Sequence, residues 1–403
     1  MNELPGGGKS RAGLASRLRD LPRSGIREVM DLAATIPNVI HLEVGEPDFP
    51  TPPHIVEAAV RAARDGYTKY TPSRGYLSLR EALCEKLERQ NKVSAAPNDV
   101  IFTVGGVGAL FEAFMALVEP NDVVLIPDPG WPHTEAMVLL AGGRPVRYPL
   151  LLERGFEPDL QALEELATRT AAKAIYINSP GNPTGGVFGR ATVEAICAIA
   201  DRSGAYIVSD ECYEAITFGT DHVSPASLLP ERVFSAWSFS KTYAMTGWRA
   251  GYLLTPPGLG AEVTKIQEPV ISCATGIVQK AAEAALIGPQ ECVSEMVSAY
   301  RDRRDLIVRL LEGTSLLLAV PQGAFYAMVD ISAAGRDSRA FVRWLLTEKG
   351  VAVAPGSTFG PSADRAVRVS LASGRRSLAE GVGRLAEALG QQPRGVELAV
   401  SGR

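Results

Sequence analysis

The chain has 403 residues, of which 46% are hydrophobic and 21% are charged, and its formal net charge is −4. This composition is typical of a globular protein with a large buried core, and the small net charge without a long basic run argues against a nucleic-acid-binding surface. No segment approaches the roughly 18 uninterrupted apolar residues of a membrane span.

The amino-terminal segment, residues 1–22, is polar and glycine-rich, and we predict a flexible arm without the apolar core of a signal peptide. Within it, GGGKS resembles the end of a phosphate-binding loop. However, Glu3 stands where the first glycine belongs and no strand precedes it, so we predict no nucleotide site there. The five cysteines lack Cys-x-x-Cys spacing and fit free thiols in a reducing cytoplasm. The four histidines form no His-x-x-x-His pair, so we predict no metal site.

From about residue 100, short segments rich in Val, Ile and Tyr alternate with helical segments. Near-continuous apolar strands alternating with helices indicate a parallel sheet that helices cover on both faces. Such a sheet binds ligands at the carboxyl ends of its strands. The predicted strands are 100–104, 122–127, 173–178, 205–210, 232–238 and 249–254, and the predicted helices include 107–118 and 190–204.

Shorter strand candidates follow at 323–331, 351–359 and 366–372, with a helix predicted at 338–350. This pattern predicts a second, smaller α+β unit. We therefore predict a large domain of residues 50–300 and a small domain formed by residues 23–49 together with 301–403.

Two glycines, Gly105 and Gly106, follow the first of these strands, and a helix is predicted to begin near Val107. Bare N–H groups at the start of a helix attract a phosphate through hydrogen bonds and the helix dipole. An ordinary strand-to-helix turn explains the same residues, so this pattern alone leaves both interpretations open.

Three polar residues follow later strands. Asn182 lies in a rigid turn of prolines and glycines and is well placed to donate an amide hydrogen bond. Asp210 ends an apolar strand, where a carboxylate is costly unless it is paired, so we expect a cationic partner or a structural salt bridge. Lys241 lies among small and hydroxylated residues, which favours an unprotonated amine close to a carbonyl group. Pyridoxal phosphate (PLP) has the matching parts: a phosphate, a phenolic oxygen, a pyridine nitrogen and an aldehyde.

The chain resembles the class I/II aminotransferases of PLP fold type I over nearly its whole length. The residues that carry the resemblance occur in the family's order: Gly105-Gly106, Trp131, Asn182-Pro183-Thr184-Gly185, Asp210 with Tyr213, Ser238-x-Ser240-Lys241, and Gly247-Trp248-Arg249. The resemblance implies an α/β protein with a mostly parallel central sheet between helices and a smaller α+β domain. It also implies PLP as cofactor and a cytoplasmic homodimer.

The resemblance also implies a role for each site residue. Lys241 corresponds to the Schiff-base lysine, which moves a proton between the substrate Cα and the cofactor C4′. Asp210 keeps the pyridine nitrogen protonated, Asn182 and Tyr213 bind the phenolic oxygen, and Trp131 stacks on the ring. The implied phosphate ligands are Gly106, Val107, Ser238, Arg249 and, from the partner subunit, Tyr70. The implied substrate ligands are Arg368, which pairs with the α-carboxylate, and Gly45, together with Trp131 and Asn182.

The implied reaction moves an amino group between an L-amino acid and a 2-oxo acid such as 2-oxoglutarate. Many aspartate-directed relatives carry a lysine at the position of Val107, so we expect an apolar, aromatic or broad range of donors here. Arginines at positions 17, 19, 23 and 27 could still supply a charge for acidic substrates. An aspartate-specific aminotransferase, a PLP-dependent β-lyase and a PLP-binding regulator without enzymatic activity are the alternatives.

Overall fold

The structure is a computed structural model that describes residues 18, 21 and 23–394. The predicted flexible arm, residues 1–22, therefore lies outside the described residues except at two positions. Thirteen α-helices lie in the described part of the chain: α1 (Gly25–Ala33), α2 (Pro53–Arg64), α3 (Leu77–Lys86), α4 (Gly105–Leu117), α5 (Pro132–Leu140), α6 (Leu160–Thr170), α7 (Arg190–Ser203), α8 (Phe239–Thr242), α9 (Gly260–Ile271), α10 (Gly276–Ile287), α11 (Glu291–Leu310), α12 (Ser338–Lys349) and α13 (Arg375–Ala388).

Thirteen strands lie in the same described residues. They are β1 (Ile40–His41), β2 (Val100–Val104), β3 (Val123–Asp128), β4 (Arg144–Leu151), β5 (Glu157–Pro158), β6 (Ala174–Asn178), β7 (Tyr206–Asp210), β8 (Val233–Ser238), β9 (Ala250–Leu254), β10 (Tyr326–Asp330), β11 (Val351–Ala352), β12 (Ala354–Pro355) and β13 (Ala366–Ser370). No described helix is both long enough and apolar enough to span a lipid bilayer.

The larger sheet has eight strands in the order β2-β9-β8-β7-β6-β3-β4-β5. The neighbours from β8 through β7, β6 and β3 to β4 are parallel, whereas β9 is antiparallel to both β8 and β2. Only residues 239–249 join β8 to β9, which is too short for the helical crossover that parallel neighbours usually need. The expectation of a mostly parallel sheet is confirmed, with β9 as the reversed strand.

Helices pack on both faces of this sheet because its strands carry apolar side chains on both sides. Along β6, Ile175 and Ile177 join a core with buried residues of α2, α3, α6, α7 and α10. Ala174 and Tyr176 point the other way, into a core with α4, α5 and α9. The alternation follows the two-residue period of a strand. The carboxyl ends of the parallel strands therefore open at one edge of a rigid layered unit.

A smaller sheet, β10-β13-β12, is antiparallel, and β1 pairs with β11 in a separate parallel pair. Buried residues of these strands and of α1, α11, α12 and α13 share one further core. The predicted strand 351–359 is instead two two-residue strands followed by a short 3-10 helix at Gly356–Thr358. Pro355 has no N–H for a ladder, which accounts for the early end of β12. The domain boundaries given above remain predictions.

Candidate active site

A cavity of about 240 Å³ lies at the carboxyl ends of β6, β7 and β8, beside the start of α4. Parallel sheets place their ligand sites at this edge. Side chains from the smaller sheet and from the segment around β1 close the cavity from the other side. Its lining residues are Ile26, Val44, Gly45, Gly106, Val107, Leu110, Trp131, Asn182, Asp210, Cys212, Tyr213, Ser238, Ser240, Lys241, Thr246, Arg249, Tyr326 and Arg368. Among the described residues there is no cluster of His, Cys, Asp and Glu that could hold a metal ion.

The turn from β2 into α4 requires glycine because neighbouring side chains leave no room for a Cβ atom. Gly105 has a φ of +74°, and a Cβ there would lie 2.6 Å from a terminal nitrogen of Arg249. A Cβ on Gly106 would lie 2.5 Å from Cys212 Sγ. Helix α4 begins at Gly105, two residues earlier than predicted, and no side chain of the described residues caps its first N–H groups. These N–H groups can therefore bind an anion.

Basic and hydroxyl groups complete this anion site. Arg249 adopts a left-handed backbone conformation with a φ of +55° and donates from Nη1 to the Thr246 carbonyl at 2.6 Å. Ser238 caps α8, its Oγ accepting a hydrogen bond from the Ser240 N–H at 3.1 Å. A guanidinium, hydroxyl groups and free helix N–H groups match the three acceptor oxygens of a phosphate. The cradle therefore fits the phosphate of PLP.

Lys241 lies on α8, and its Nζ donates a hydrogen bond to the Gly45 carbonyl at 2.6 Å. Nζ also lies 5.8 Å from the centre of the Phe325 ring. The pKa of the Lys241 amine is lowered to about 8, chiefly by burial; the charges of Arg368 and Arg249 also lower it, whereas Cys212 and Glu46 oppose this shift. About a tenth of the amine is therefore unprotonated at pH 7, far more than for an ordinary lysine.

Asp210 ends β7 as a buried carboxylate. Its Oδ2 accepts a hydrogen bond from the Tyr176 hydroxyl at 3.0 Å, and its Oδ1 accepts one from the Cys212 N–H at 3.2 Å. Burial raises the pKa of Asp210 above its ordinary value. The cationic partner expected from the sequence is not a side chain of the described residues, because none of their ion pairs includes Asp210. A protonated ring nitrogen would supply the missing positive charge, which fits the pyridine of PLP.

Arg368 lies in the middle of β13 with only 2% of its surface exposed. Nη1 donates to Asn182 Oδ1 at 2.8 Å, Nη2 donates to the Glu43 carbonyl, and Nε has no partner within the described chain. The guanidinium lies 4.3 Å from the Tyr326 ring centre, and burial lowers its pKa. No ion pair of the described residues includes Arg368. The cavity therefore holds a buried cation suited to a carboxylate.

Tyr213, which follows β7, and Tyr326, which begins β10, form a hydrogen bond between the two sheets at the cavity. Their hydroxyl oxygens lie 2.8 Å apart, and both side chains are buried. A Cβ on Gly45 would lie 1.8 Å from the Tyr326 hydroxyl, so only glycine fits there. Asn182 is fixed by its peptide N–H, which donates to Asn178 Oδ1 at 2.8 Å. These contacts place Gly45, Asn182 and Tyr213 at the cavity as predicted, but the roles assigned to them stay predictions.

Trp131 precedes α5, and its ring stacks on His133 with the ring centres 4.8 Å apart. Val107 is 42% exposed and also lines the cavity, together with the apolar residues Ile26, Val44 and Leu110. These four side chains give the cavity wall an apolar part.

Tyr70 is the one predicted site residue that the described chain does not bring to the cavity. It is 89% exposed and lines a separate surface hollow formed by residues 67–70 and 273–277. Its assignment to the phosphate depends on a second copy of the chain and stays a prediction.

Sequence reasoning missed Tyr326 and Cys212, although both line the cavity. Tyr326 belongs to a strand predicted in the smaller unit, and nothing local indicates that its hydroxyl reaches Tyr213. Cys212 lies between the predicted site residues Asp210 and Tyr213, and this position in the sequence could have indicated that it lines the cavity.

A family model described as "Aminotransferase class I and II" matches residues 37–388. The aspartate aminotransferase of Pyrococcus horikoshii is 37% identical over 93% of this chain and 97% of its own length. An aromatic-amino-acid aminotransferase of Thermococcus litoralis is 37% identical over 93% of this chain and 98% of its own. The solved structure of Thermus thermophilus aspartate aminotransferase with maleate is similar with a TM-score of 0.89. It is 37% identical and covers 93% of this chain and 99% of that one.

Proposed function

The chain belongs to the class I and II aminotransferase family, and on this basis we propose which of its residues carry out the amino transfer. The enzyme moves an amino group between an amino acid and a 2-oxo acid, and its cofactor is pyridoxal 5′-phosphate. The family, fold class, enzyme class and cofactor predicted from the sequence are confirmed. The roles of individual residues remain proposals.

One observation carries these proposals: a buried carboxylate and a buried guanidinium share one cavity, and neither has an ion-pair partner among the described residues. Leaving either charge unpaired in a protein interior is strongly unfavourable. We propose that Asp210 binds the protonated pyridine nitrogen of the cofactor and that Arg368 binds the α-carboxylate of the substrate. Each ligand then supplies the charge that its protein partner lacks.

The remaining cofactor contacts follow from the same cavity. We propose that the N–H groups of Gly106 and Val107, the Ser238 hydroxyl and the Arg249 guanidinium hold the phosphate. Asn182 and Tyr213 would donate hydrogen bonds to the phenolic oxygen, and Trp131 would cover one ring face. When bound, PLP supplies an aldehyde that takes up the amino group and a ring that withdraws electrons from the substrate Cα.

Lys241 is the proposed general base. Its pKa of about 8 leaves an unprotonated amine available at neutral pH, because burial disfavours the ammonium form. With PLP and substrate bound, Nζ would move the proton between the substrate Cα and C4′ of the cofactor. Asp210 would hold a proton at the ring nitrogen, and the buried position of Arg368 would limit competition from water for the α-carboxylate.

The apolar side of the cavity supports a donor with an uncharged side chain. Val107, Ile26, Val44 and Leu110 offer no partner for a second carboxylate, and burying one unpaired costs several kcal/mol. An aromatic side chain would gain about 1.5–3 kcal/mol from burial in the same place. The similarity to both aspartate and aromatic-amino-acid aminotransferases is compatible with a broad range. An aspartate-specific enzyme remains the alternative.

A dicarboxylic partner substrate such as 2-oxoglutarate still needs a cation, and we propose Arg23 or Arg27. Neither belongs to an ion pair of the described residues. Burial and the charge of Arg27 lower the pKa of His133, and His133 stacks on Trp131 at the cavity. Arg27 therefore lies close to His133, next to Trp131 of the cavity wall. Two further candidates, Arg17 and Arg19, lie outside the described residues.

We also propose a homodimer, in which Tyr70 reaches the phosphate site of the partner subunit. Tyr70 is 89% exposed, and the exposed Val270 and Ile287 (62% and 72%) offer further apolar surface for a second copy. A cytoplasmic location is proposed because the structure shows free thiols at Cys84, Cys197, Cys212, Cys273 and Cys292.

The test of function uses PLP-loaded protein with 2-oxoglutarate and phenylalanine, alanine or aspartate as donor, with glutamate, ammonia and pyruvate measured. We expect glutamate without ammonia, and a kcat/KM about tenfold higher for phenylalanine than for aspartate. Ammonia and pyruvate in place of glutamate would favour the β-lyase. A tenfold lead for aspartate would contradict the apolar donor.

The same assay tests the proposed cation. Arg27→Gln and Arg23→Gln are each expected to raise KM for 2-oxoglutarate, if that arginine meets the second carboxylate, while leaving the KM of phenylalanine unchanged. Arg339→Gln is the control, because Arg339 already pairs with Glu28 at 2.8 Å. Unchanged KM values in both test variants would refute the assignment.

A further inference from the structure

Asp210 has a buried neighbour that no sequence motif indicates. The Tyr176 hydroxyl lies 3.0 Å from Asp210 Oδ2, and Tyr176 is fully buried. On the paired strands β6 and β7, Tyr176 faces Val208 and Asn178 faces Asp210. Tyr176 is therefore the diagonal neighbour of Asp210, two residues earlier on the adjoining strand and on the same face of the sheet. Its long side chain reaches from the core up to the carboxylate.

The Tyr176 hydroxyl is positioned by the packing of its ring, whereas the Tyr176 backbone is already fixed by the pairing of β6 with β7. Its ring packs against Phe114 of α4 with the ring centres 6.1 Å apart. Its own backbone carbonyl accepts a hydrogen bond from the buried Tyr148 hydroxyl at 2.9 Å. Burial, together with the charge of Asp210, raises the pKa of Tyr176 well above its ordinary value. Tyr176 therefore stays protonated and is the donor to Asp210.

We propose that Tyr176 is a positioning residue, which fixes the Asp210 carboxylate and keeps it charged so that it can hold a proton on the ring nitrogen of PLP. This inference rests on the proposed role of Asp210. A carboxylate oxygen has two lone-pair sites, so the hydrogen bond from Tyr176 leaves room for the ring N–H. A hydrogen bond to the charged form of a buried acid favours that form. Without the hydroxyl, Asp210 keeps the Cys212 N–H but loses its partner at Oδ2.

The test compares apo-protein affinity for PLP with that for the 1-deaza analogue, in which C–H replaces the ring nitrogen. Only PLP can use Asp210, so the affinity ratio reports this contact alone. Both compounds are titrated by fluorescence against the wild type, Tyr176→Phe and Tyr148→Phe. The control Tyr148→Phe removes a buried hydroxyl of the same kind that bonds to a carbonyl rather than to Asp210.

We expect the wild type to prefer PLP, and Tyr176→Phe to reduce this preference about tenfold, the scale of one hydrogen bond to a charged group. Tyr148→Phe should leave the preference within about twofold. A purely structural role would weaken both compounds equally, so an unchanged ratio in Tyr176→Phe overturns the proposal. A wild type without any preference would instead contradict the role of Asp210 itself.

A second measurement separates the contact with Asp210 from any effect of Tyr176→Phe on the stability of the protein. In an Asp210→Asn background, adding Tyr176→Phe should leave the PLP-to-analogue ratio unchanged, because the carboxylate that the hydroxyl serves is gone. An equal loss of the ratio with and without Asp210 would overturn the inference. In the loaded enzyme, Tyr176→Phe is expected to lower kcat with little change in KM for the amino donor, and the reverse pattern would count against it.

Discussion

The close packing of Gly106 against Cys212 can be tested by enlarging the first residue to alanine and reducing the second to alanine. A Cβ on Gly106 would lie 2.5 Å from Cys212 Sγ but 3.3 Å from Ser238 Cβ, so the sulfur atom is the main obstacle. Overpacking of this kind costs about 1–3 kcal/mol. Alanine gains about 0.5–1 kcal/mol over glycine in a helix. We therefore expect Gly106→Ala to lower the free energy of unfolding by about 0.5–2 kcal/mol.

Removing the sulfur atom should reverse this loss. Cys212→Ala alone forfeits the burial of one small group, about 1 kcal/mol. The double variant keeps that loss but is relieved of the clash, so the two substitutions should couple by about 1–3 kcal/mol. PLP affinity should follow the same pattern. It falls in Gly106→Ala, because the first N–H groups of α4 are displaced, and it returns in the double variant.

Urea unfolding of the apo-proteins and fluorescence titration with PLP measure both effects. Met115→Ala provides a control on α4, since this side chain is 40% exposed and does not line the cavity. Strict additivity of the two substitutions, in stability and in PLP affinity, would refute the reasoning. It would mean that the start of α4 moves away from Cys212 without cost.

Three further predictions concern the loaded enzyme. Lys241→Ala should bind PLP without covalent attachment and lose about 10⁴-fold or more in kcat, and a variant that keeps a tenth of the activity would contradict the assignment. Because burial lowers the Lys241 pKa to about 8, the fraction of Lys241 in the reactive neutral form rises steeply around pH 8. The rate of PLP attachment to apo-protein should therefore rise through pH 8 and then level off, and a midpoint near the ordinary lysine pKa would count against this. Light scattering should show a dimer, and Tyr70→Ala should weaken PLP binding about tenfold without altering the fold, whereas a fully active monomer would exclude the shared site.

Most of the longer strands and most site residues could be predicted because their signals are local. Lys241, Asp210 and Asn182 each follow an apolar strand, and the carboxyl ends of parallel strands meet at one edge. Strand β4 was not predicted, since Pro145 and Pro149 interrupt its pattern and proline is unfavourable within a sheet. Here residues 144–149 of β4 pair with β3 in parallel, and in the described part of the chain the two-residue strand β5 forms the edge beyond it.

Contacts between distant segments could not be predicted in this way. The hydroxyl pair of Tyr213 and Tyr326 depends on how two sheets meet, and the bond from Tyr176 to Asp210 depends on strand register. A single sequence gives neither quantity, because any buried tyrosine on a strand shows the same local pattern. The partner of Asp210 illustrates the same point: the sequence indicates that a buried carboxylate needs one, but not which atom supplies it.

The antiparallel course of β9 fixes the length of the segment that carries Lys241 and Arg249. Gly251 pairs with Ser238 on one side and with Thr103 on the other, and a Cβ on Gly251 would lie 2.4 Å from the Gly105 carbonyl carbon. A slip of β9 by one residue would bring Ala250 or Tyr252 to the position of Gly251 and reverse the faces of the strand. Insertions or deletions that shift the register of β9 in this way are therefore unfavourable, whatever substrate the enzyme uses. The spacing of Lys241 and Arg249 is thus tied to the register of β9, whereas side chains elsewhere on the cavity wall are free of this constraint.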